Sequence, residues 1–557
     1  MNKKTILLSL VFVFILGFAL VGCSTTTEEA PPPEEKAGET NEPEETKDTE
    51  EEQNKESDAD PVDNTLVFGR GADSVGLDPA TITDGESIKV TLNIYDTLVK
   101  YADLDTSIEP SLATSWESSD DGLTYTFKLR EGVKFHDGTD FNAEAVVYNF
   151  ERWANGDKSS FYYYSSMFGG FKGDEGHVIQ EVKAIDELTV EFTLSRPQAP
   201  FLQNVAMPVF GIASPTALEK YGESFTENPV GTGPFVFQEW KRNDKIVLVK
   251  NDNYFMDGYP KLDSVIFVSI PDNATRLNEL IAGEIDVADG VSPNDGSRIE
   301  GESDLQLFTR PSMNVGYLGL TNTRPPFDNK LVRQALNHAV DKEGIIAAFY
   351  AGQAEPAKNP LPPVIAGYND DIEPYPYDLE KAKELLAEAG YPDGFEMELW
   401  AMPVPRPYMP DGQKVAEVLQ NSFAQIGVEA KIVSFEWATY LEKARNGEAD
   451  AFLLGWTGDN GDADNFIYVL LDKDNIGSNN YSYYSNDELH DILIAAQSNP
   501  DQEARVELYK QAQEIIHDDA PWIPLVHSTP ILGGKNNVAD FFAHPTGSQA
   551  LTKVYFE

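Results

Sequence analysis

The chain of 557 residues contains a single cysteine, Cys23, so no intramolecular disulfide can form and no thiol cluster can hold zinc. Positive charge is scarce as well. Lys and Arg number 42 against 93 Asp and Glu, and the resulting net charge of −51 excludes nucleic acid or an anionic lipid surface as the main partner. The seven histidines, His136, His177, His338, His490, His517, His527 and His544, show neither H-E-x-x-H nor H-x-H spacing. His136 therefore reads as a turn residue that spends its ring on a hydrogen bond within the turn. There is no G-x-S-x-G elbow and no Gly-rich phosphate loop. Acidic pairs are too numerous in this composition for their number alone to mark a glycosidase. No enzymatic activity, no cofactor and no metal centre are expected, although a site built from carboxylates alone stays open.

What the sequence does contain begins with an export signal. Lys3 and Lys4 precede an apolar stretch, 6–20, followed by small residues. The run is somewhat short for a membrane span of roughly 20 residues. It ends in Leu20-Val21-Gly22-Cys23, which resembles the lipobox of bacterial lipoproteins. That resemblance implies that residues 1–22 are removed and that Cys23 carries a diacylglyceryl group. The remainder is then expected outside the cytoplasm, lipid-anchored to the cell membrane, on a Gram-positive cell surface.

Residues 23–63 are rich in Glu, Thr, Pro, Lys and Asp and hold almost no large apolar side chain. Such a segment cannot offset the entropy lost on folding, so a disordered, acidic tether is predicted. From residue 64 onward strand and helix signals alternate. Residues 65–69, 124–129 and 189–194 have the period of half-buried strands. Residues 143–153, 329–340, 379–389, 413–426 and 503–516 have the 3.6-residue period of amphipathic helices. In two places such a helix is followed by a glycine and then a strand: Gly427 before 428–433, and Gly447 before 449–454. This is α/β grammar. A chain of this length exceeds what one core organises, so at least two lobes are expected.

Residues 113–153, ATSWESSDDGLTYTFKLREGVKFHDGTDFNAEAVVYNFERW, read as a hairpin and then a helix, with Asn142 as the helix N-cap. Alone, this is a packing module. It closely resembles the signature region of the family 5 solute-binding proteins of ABC importers, and Gly231-Thr232-Gly233-Pro234-Phe235, with Trp240 beyond it, resembles a second landmark of that family. The resemblance runs from Leu66 to the C-terminus. It implies an α/β clamshell of the type II periplasmic-binding-protein kind with an extra subdomain. Lobe I would comprise 64–310 plus 529–557, with the subdomain at about 103–229, and lobe II would be 311–528. The chain would cross between lobes near Pro311 and Thr529.

The run Asp459-Asn460-Gly461-Asp462-Ala463-Asp464 fails as an EF-hand, because its Gly is third and Leu470 occupies the twelfth position. It reads either as a solvated loop or as a loop at a strand end, where α/β sheets bind ligands and where Asp459 would face the solute. With the segment from Leu399 to Tyr408 (LWAMPVPRPY) and with Phe435-Glu436-Trp437, it is similar to the dipeptide-binding proteins of bacterial dipeptide permeases. One departure is Ala463, where those proteins carry Pro. By this resemblance Asp459 pairs with a peptide's α-ammonium group and Arg406 with its α-carboxylate, while Tyr408, Trp437 and Trp456 wall the pocket.

The chemistry of the two charges agrees. A guanidinium fork suits a carboxylate, and a carboxylate accepts ammonium protons. Because each residue advances at most about 3.6 Å, two fixed charges across one dry cleft measure peptide length. The implied ligand is a short peptide, a dipeptide first. Other solutes of the family (an oligopeptide, a nickel chelate, haem or an oligosaccharide) form the alternative. The implied partners are a permease and its ATPase subunits, and a monomer is expected.

Overall fold

The computed structural model describes residues 64–557, so Cys23 and the expectations placed on 1–63 lie outside the described residues. Two large sheets and one smaller sheet organise the described part. A seven-stranded sheet runs in the order Leu305–Thr309, Ile531–Lys535, Val287–Val291, Thr65–Arg70, Ser264–Ser269, Lys245–Lys250, Phe235–Lys241. Its first strand in sequence, Thr65–Arg70, lies parallel to both neighbours, and the remaining pairings are antiparallel.

The six-stranded sheet runs Ala354–Pro356, Trp522–Ser528, Asn314–Leu320, Ala451–Thr457, Glu396–Trp400, Glu429–Val433. Strand Asn314–Leu320 is buried along its whole length, as expected of a central strand covered on both faces. The chain leaves the seven-stranded sheet after Thr309, enters the six-stranded one at Asn314, and returns between Ser528 and Ile531.

The predicted elements form where period and capping place them. Strands Thr124–Leu129 and Thr189–Leu194 pair antiparallel inside a four-stranded sheet with Ala113–Ser118 and Ile179–Asp186. Their inward residues Phe127 and Phe192 meet edge to face at 5.5 Å, and Phe192 meets Phe150 of the following helix at 4.8 Å. That helix, Ala143–Ala154, starts where Asn142 accepts a hydrogen bond from Ala145 N at 3.0 Å. The helix–glycine–strand units also form. Gly427 and Gly447 sit at φ 84° and 69°, a left-handed backbone that favours glycine at a helix end.

His136 departs from its predicted role in one respect. Its ring Nε2 lies 3.0 Å from Gly233 O and its backbone N donates to Gly231 O, so it ties the turn to the distant Gly231–Phe235 segment rather than closing the turn on itself. A Cβ at Gly231 or Gly233 would collide with the backbone of Ile94. The two signature segments are thus neighbours in one packed joint.

Candidate functional site

A cavity of about 480 Å³ is bounded by the six-stranded sheet, by residues 162–167 and by residues 83–85. All five solute-contacting residues expected from the sequence, Arg406, Tyr408, Trp437, Trp456 and Asp459, line it. The sheet explains why Tyr408 can. Gly316 and Gly455 are register partners on adjacent strands, and a Cβ on either would strike Tyr408, its carbonyl oxygen in one case and its ring in the other. With both side chains absent, Tyr408 lies flat on the strands, 8% exposed, and its carbonyl accepts a hydrogen bond from Tyr350 OH at 2.8 Å.

Asp459 follows the end of strand Ala451–Thr457. Its Oδ1 accepts from Tyr163 OH at 3.1 Å and its Oδ2 from Asn465 Nδ2 at 3.1 Å. Asn465 also takes Trp456 Nε1 and Asp459 N onto its Oδ1, at 3.0 and 2.9 Å, so one amide sets both side chains. Burial raises the Asp459 carboxyl to about 6, and the hydrogen bonds from Asn465 and Tyr163 limit that rise. Among the described residues no cation pairs with Asp459.

Arg406 stands in a tight turn, exchanging backbone hydrogen bonds with Met409 at 3.0 and 2.9 Å. Its guanidinium carbon lies 5.8 Å from the centroid of Trp437, and Trp437 in turn stacks on Tyr440 at 5.7 Å. Its Nη1 donates to Pro405 O at 3.1 Å, and among the described residues no carboxylate pairs with it. The side chain is exposed while Asp459 is half-buried, so the dryness expected of the cleft is met in part around Asp459 and not around Arg406.

The solvated-loop alternative for 459–464 fails. Asn460, Asp462 and Ala463 are buried, and Asp462 receives a two-pronged ion pair from Arg505 at 2.9 and 2.8 Å. The Asp464 carboxyl is pushed up to about 7 by burial and by neighbouring Asp462, and it accepts from Gln497 Nε2. These acids brace the loop and leave Asp459 as the carboxylate that faces the cavity.

Sequence reasoning missed the contribution of 162–167. Tyr162, Tyr163 and Met167 line the cavity from the short helix Tyr162–Phe168, and the Tyr162–Tyr163–Tyr164 triplet was the one available signal. One group among the described residues, Asp472, Asp474 and His490, brings possible metal-ligand atoms within 4.8 Å of one another, yet none of the three lines the cavity. His490 Nδ1 is engaged with Asp472 at 3.0 Å. Among the described residues no helix is long and apolar enough to cross a membrane.

A cavity of this size, walled by aromatic rings and carrying two opposite charges that have no counter-ion among the described residues, has the make-up of a solute-binding site. The chain belongs to the bacterial extracellular solute-binding proteins of family 5, whose model matches residues 107–478. It is 41% identical over 510 residues to Heme-binding protein A of Haemophilus influenzae, covering 88% of this chain and 92% of that protein. To the Dipeptide-binding protein of Escherichia coli it is 40% identical over 511 residues, covering 88% and 95%. Among solved structures, the ABC transporter-associated periplasmic binding protein DppA from Helicobacter pylori, in complex with the peptide STSA, matches with a TM-score of 0.76. The two are 38% identical, and the match covers 88% of this chain and 98% of that one. The mixed α/β fold is of the periplasmic-binding type expected from the sequence.

Proposed function

We propose that this protein captures short peptides, dipeptides foremost, outside the cytoplasm and hands them to an ABC permease. The observation that carries the reading is the pair of unmatched charges in one cavity: Asp459 receives the peptide's ammonium group and Arg406 its carboxylate. Tyr408, Trp437 and Trp456 supply apolar walls for the two side chains. Free amino acids and long peptides each leave one of the two charges unmet. The named relatives support a peptide and leave haem as the competing solute.

Closure supplies the signal that a permease reads. The chain crosses between the two large sheets at residues 310–313 and 529–530, and hinging there would bring the two sides together over the ligand. Several contacts already span the cleft: Tyr163 OH to Asp459, Asn460 Nδ2 to Asn204 Oδ1 at 2.7 Å, and Ala199 N to Gln497 O at 2.8 Å. A ligand that adds bonds in this arrangement shifts the population toward it. In this reading the protein works as a monomer tethered through a lipid on Cys23, and ATP hydrolysis belongs to the transporter.

Blocking the peptide's ends tests the assignment. In titration calorimetry N-acetylation or C-terminal amidation of a dipeptide should each weaken binding roughly tenfold or more, since each removes a charge-assisted contact. Blocked and free dipeptides of equal affinity, or haem binding that outcompetes both, would overturn it.

The raised Asp459 carboxyl adds a pH signature. The ammonium group needs the ionised form, so affinity should be level above about pH 7 and fall as pH drops through 6, approaching tenfold per unit. Asp459→Asn should abolish that slope. An affinity unchanged between about pH 5 and 8 in the unmodified protein would remove Asp459 from the ligand's surroundings.

A further inference from the structure

A second cavity, of about 430 Å³, shares no lining residue with the solute cavity. Its walls come from residues 92–111, from Arg130 just beyond strand Thr124–Leu129, from residues 254–259 and from the C-terminal segment 540–553. Three cations face it. Lys100 is paired with Glu109 at 3.4 Å, and Lys553 is paired with Asp103. Arg130 is different.

Arg130 has no ion-pair partner among the described residues, although its side chain is held firmly. Its Nε donates to Ser111 O at 3.2 Å, and its guanidinium carbon stands 4.8 Å from the centroid of Phe255. The outer nitrogens Nη1 and Nη2 find no protein acceptor among the described residues. The same cavity holds Asp96, whose Oδ1 accepts from Tyr254 OH at 3.1 Å and whose Oδ2 accepts from Thr232 Oγ1 at 2.9 Å. Each oxygen keeps a free lone pair. Burial raises this carboxyl to about 6, and the rise is limited first by the hydrogen bonds from Thr232 and Tyr254 and then by the charges of Lys100 and Arg130.

Asp96 and Arg130 thus share a cavity without forming an ion pair, each held in place by its own set of neighbours. Neither group has an ion-pair partner among the described residues, so both charges are left for a ligand to answer. An anion alone would meet not only Asp96 but also Asp103, Glu109, Asp257 and Asp540. A cation alone would leave Arg130 unanswered. A solute carrying both charges answers both groups, and an α-amino acid is the smallest that does so, with Phe255 and the 37% exposed Phe542 offering its side chain an apolar surface.

We propose that this cavity is a second binding site, for a free zwitterionic amino acid with an apolar side chain, its ammonium on Asp96 and its carboxylate on Arg130. The site works independently of the peptide cavity, so the protein can carry one ligand in each.

L-leucine is the probe, titrated calorimetrically into the full chain with and without saturating Ala-Leu. Binding of one leucine is expected in both conditions. Arg130→Gln and, separately, the isosteric Asp96→Asn should each weaken it roughly tenfold or more, with Ala-Leu affinity and thermal midpoint unchanged. Arg406→Gln should leave leucine binding intact. The proposal is overturned if leucine at millimolar concentration produces no heat, if Ala-Leu displaces it, if Arg406→Gln abolishes it, or if a folded Asp96→Asn variant binds it as well as the parent.

Discussion

Asp459→Asn is expected to weaken dipeptide binding by roughly ten- to a hundredfold in calorimetry, the size of a lost charge-assisted contact, without lowering the thermal midpoint. The second half of that expectation follows from the sign of the carboxyl's shift. Its folded value, about 6, lies above the ordinary value of 3.8, so the folded protein holds this proton more tightly than the unfolded chain. The ionised group therefore subtracts stability at neutral pH, a cost fully present above the folded value and absent below the unfolded one. Asparagine removes the cost. Arg406→Ala should also weaken binding but by less, because the exposed guanidinium would meet the ligand's carboxylate in a wetter, more screened surrounding. A variant of Asp459 that loses stability and keeps its affinity would reverse the assignment, making the residue a brace for the fold rather than a contact for the ligand.

Arg505→Leu should be the most damaging single change to the fold among those considered, by about 3–5 kcal/mol in chemical denaturation. The two side chains of the Arg505–Asp462 pair are only 2% and 4% exposed, and each oxygen of Asp462 takes one guanidinium nitrogen. Removing the cation strands a buried carboxylate beside Asp464, whose own carboxyl is already raised by burial and by Asp462. Arg505 further donates to Ala496 O at 3.0 Å, so the variant also frees the end of helix Asp487–Ser498. The damage reaches function through the loop: residues 459–465 carry Asp459 and Asn465, and a loosened loop would blur the hydrogen bonds that aim the carboxylate. The double variant Asp462→Asn with Arg505→Leu should recover part of the stability, since no unpaired charge then remains at Asp462. Full stability in Arg505→Leu would contradict the account of this pair.

Much of this architecture was legible in the sequence because local signals agreed with the final packing. Thr124–Leu129 and Thr189–Leu194 alternate in polarity and form strands with those bounds, and Asn142 caps the helix it was expected to cap. The five expected cavity residues, which the family resemblance supplied and local pattern did not, line one cavity even though Arg406 and Asp459 sit on different loops. What could not be read was anything decided by long-range geometry. Tyr163 reaches Asp459 across 296 positions, and the burial that lifts that carboxyl belongs to the assembled fold. The inward turn of Asp462 depended on Arg505, a residue whose helix period marks it only as a buried position. The exposure of Arg406 was likewise invisible, since the prolines on either side fix its backbone without fixing how water reaches it.

The facing glycines Gly316 and Gly455 seat Tyr408 directly against the main chain, with no side chain between it and the strands. A Cβ on Gly316 would run into the Tyr408 carbonyl oxygen, and one on Gly455 into its ring, so a larger residue at either position would lift Tyr408 off the sheet. Three positions far apart in the chain are therefore tied into one unit, and the cavity wall at 408 can be rebuilt only by changing both sides of that contact together.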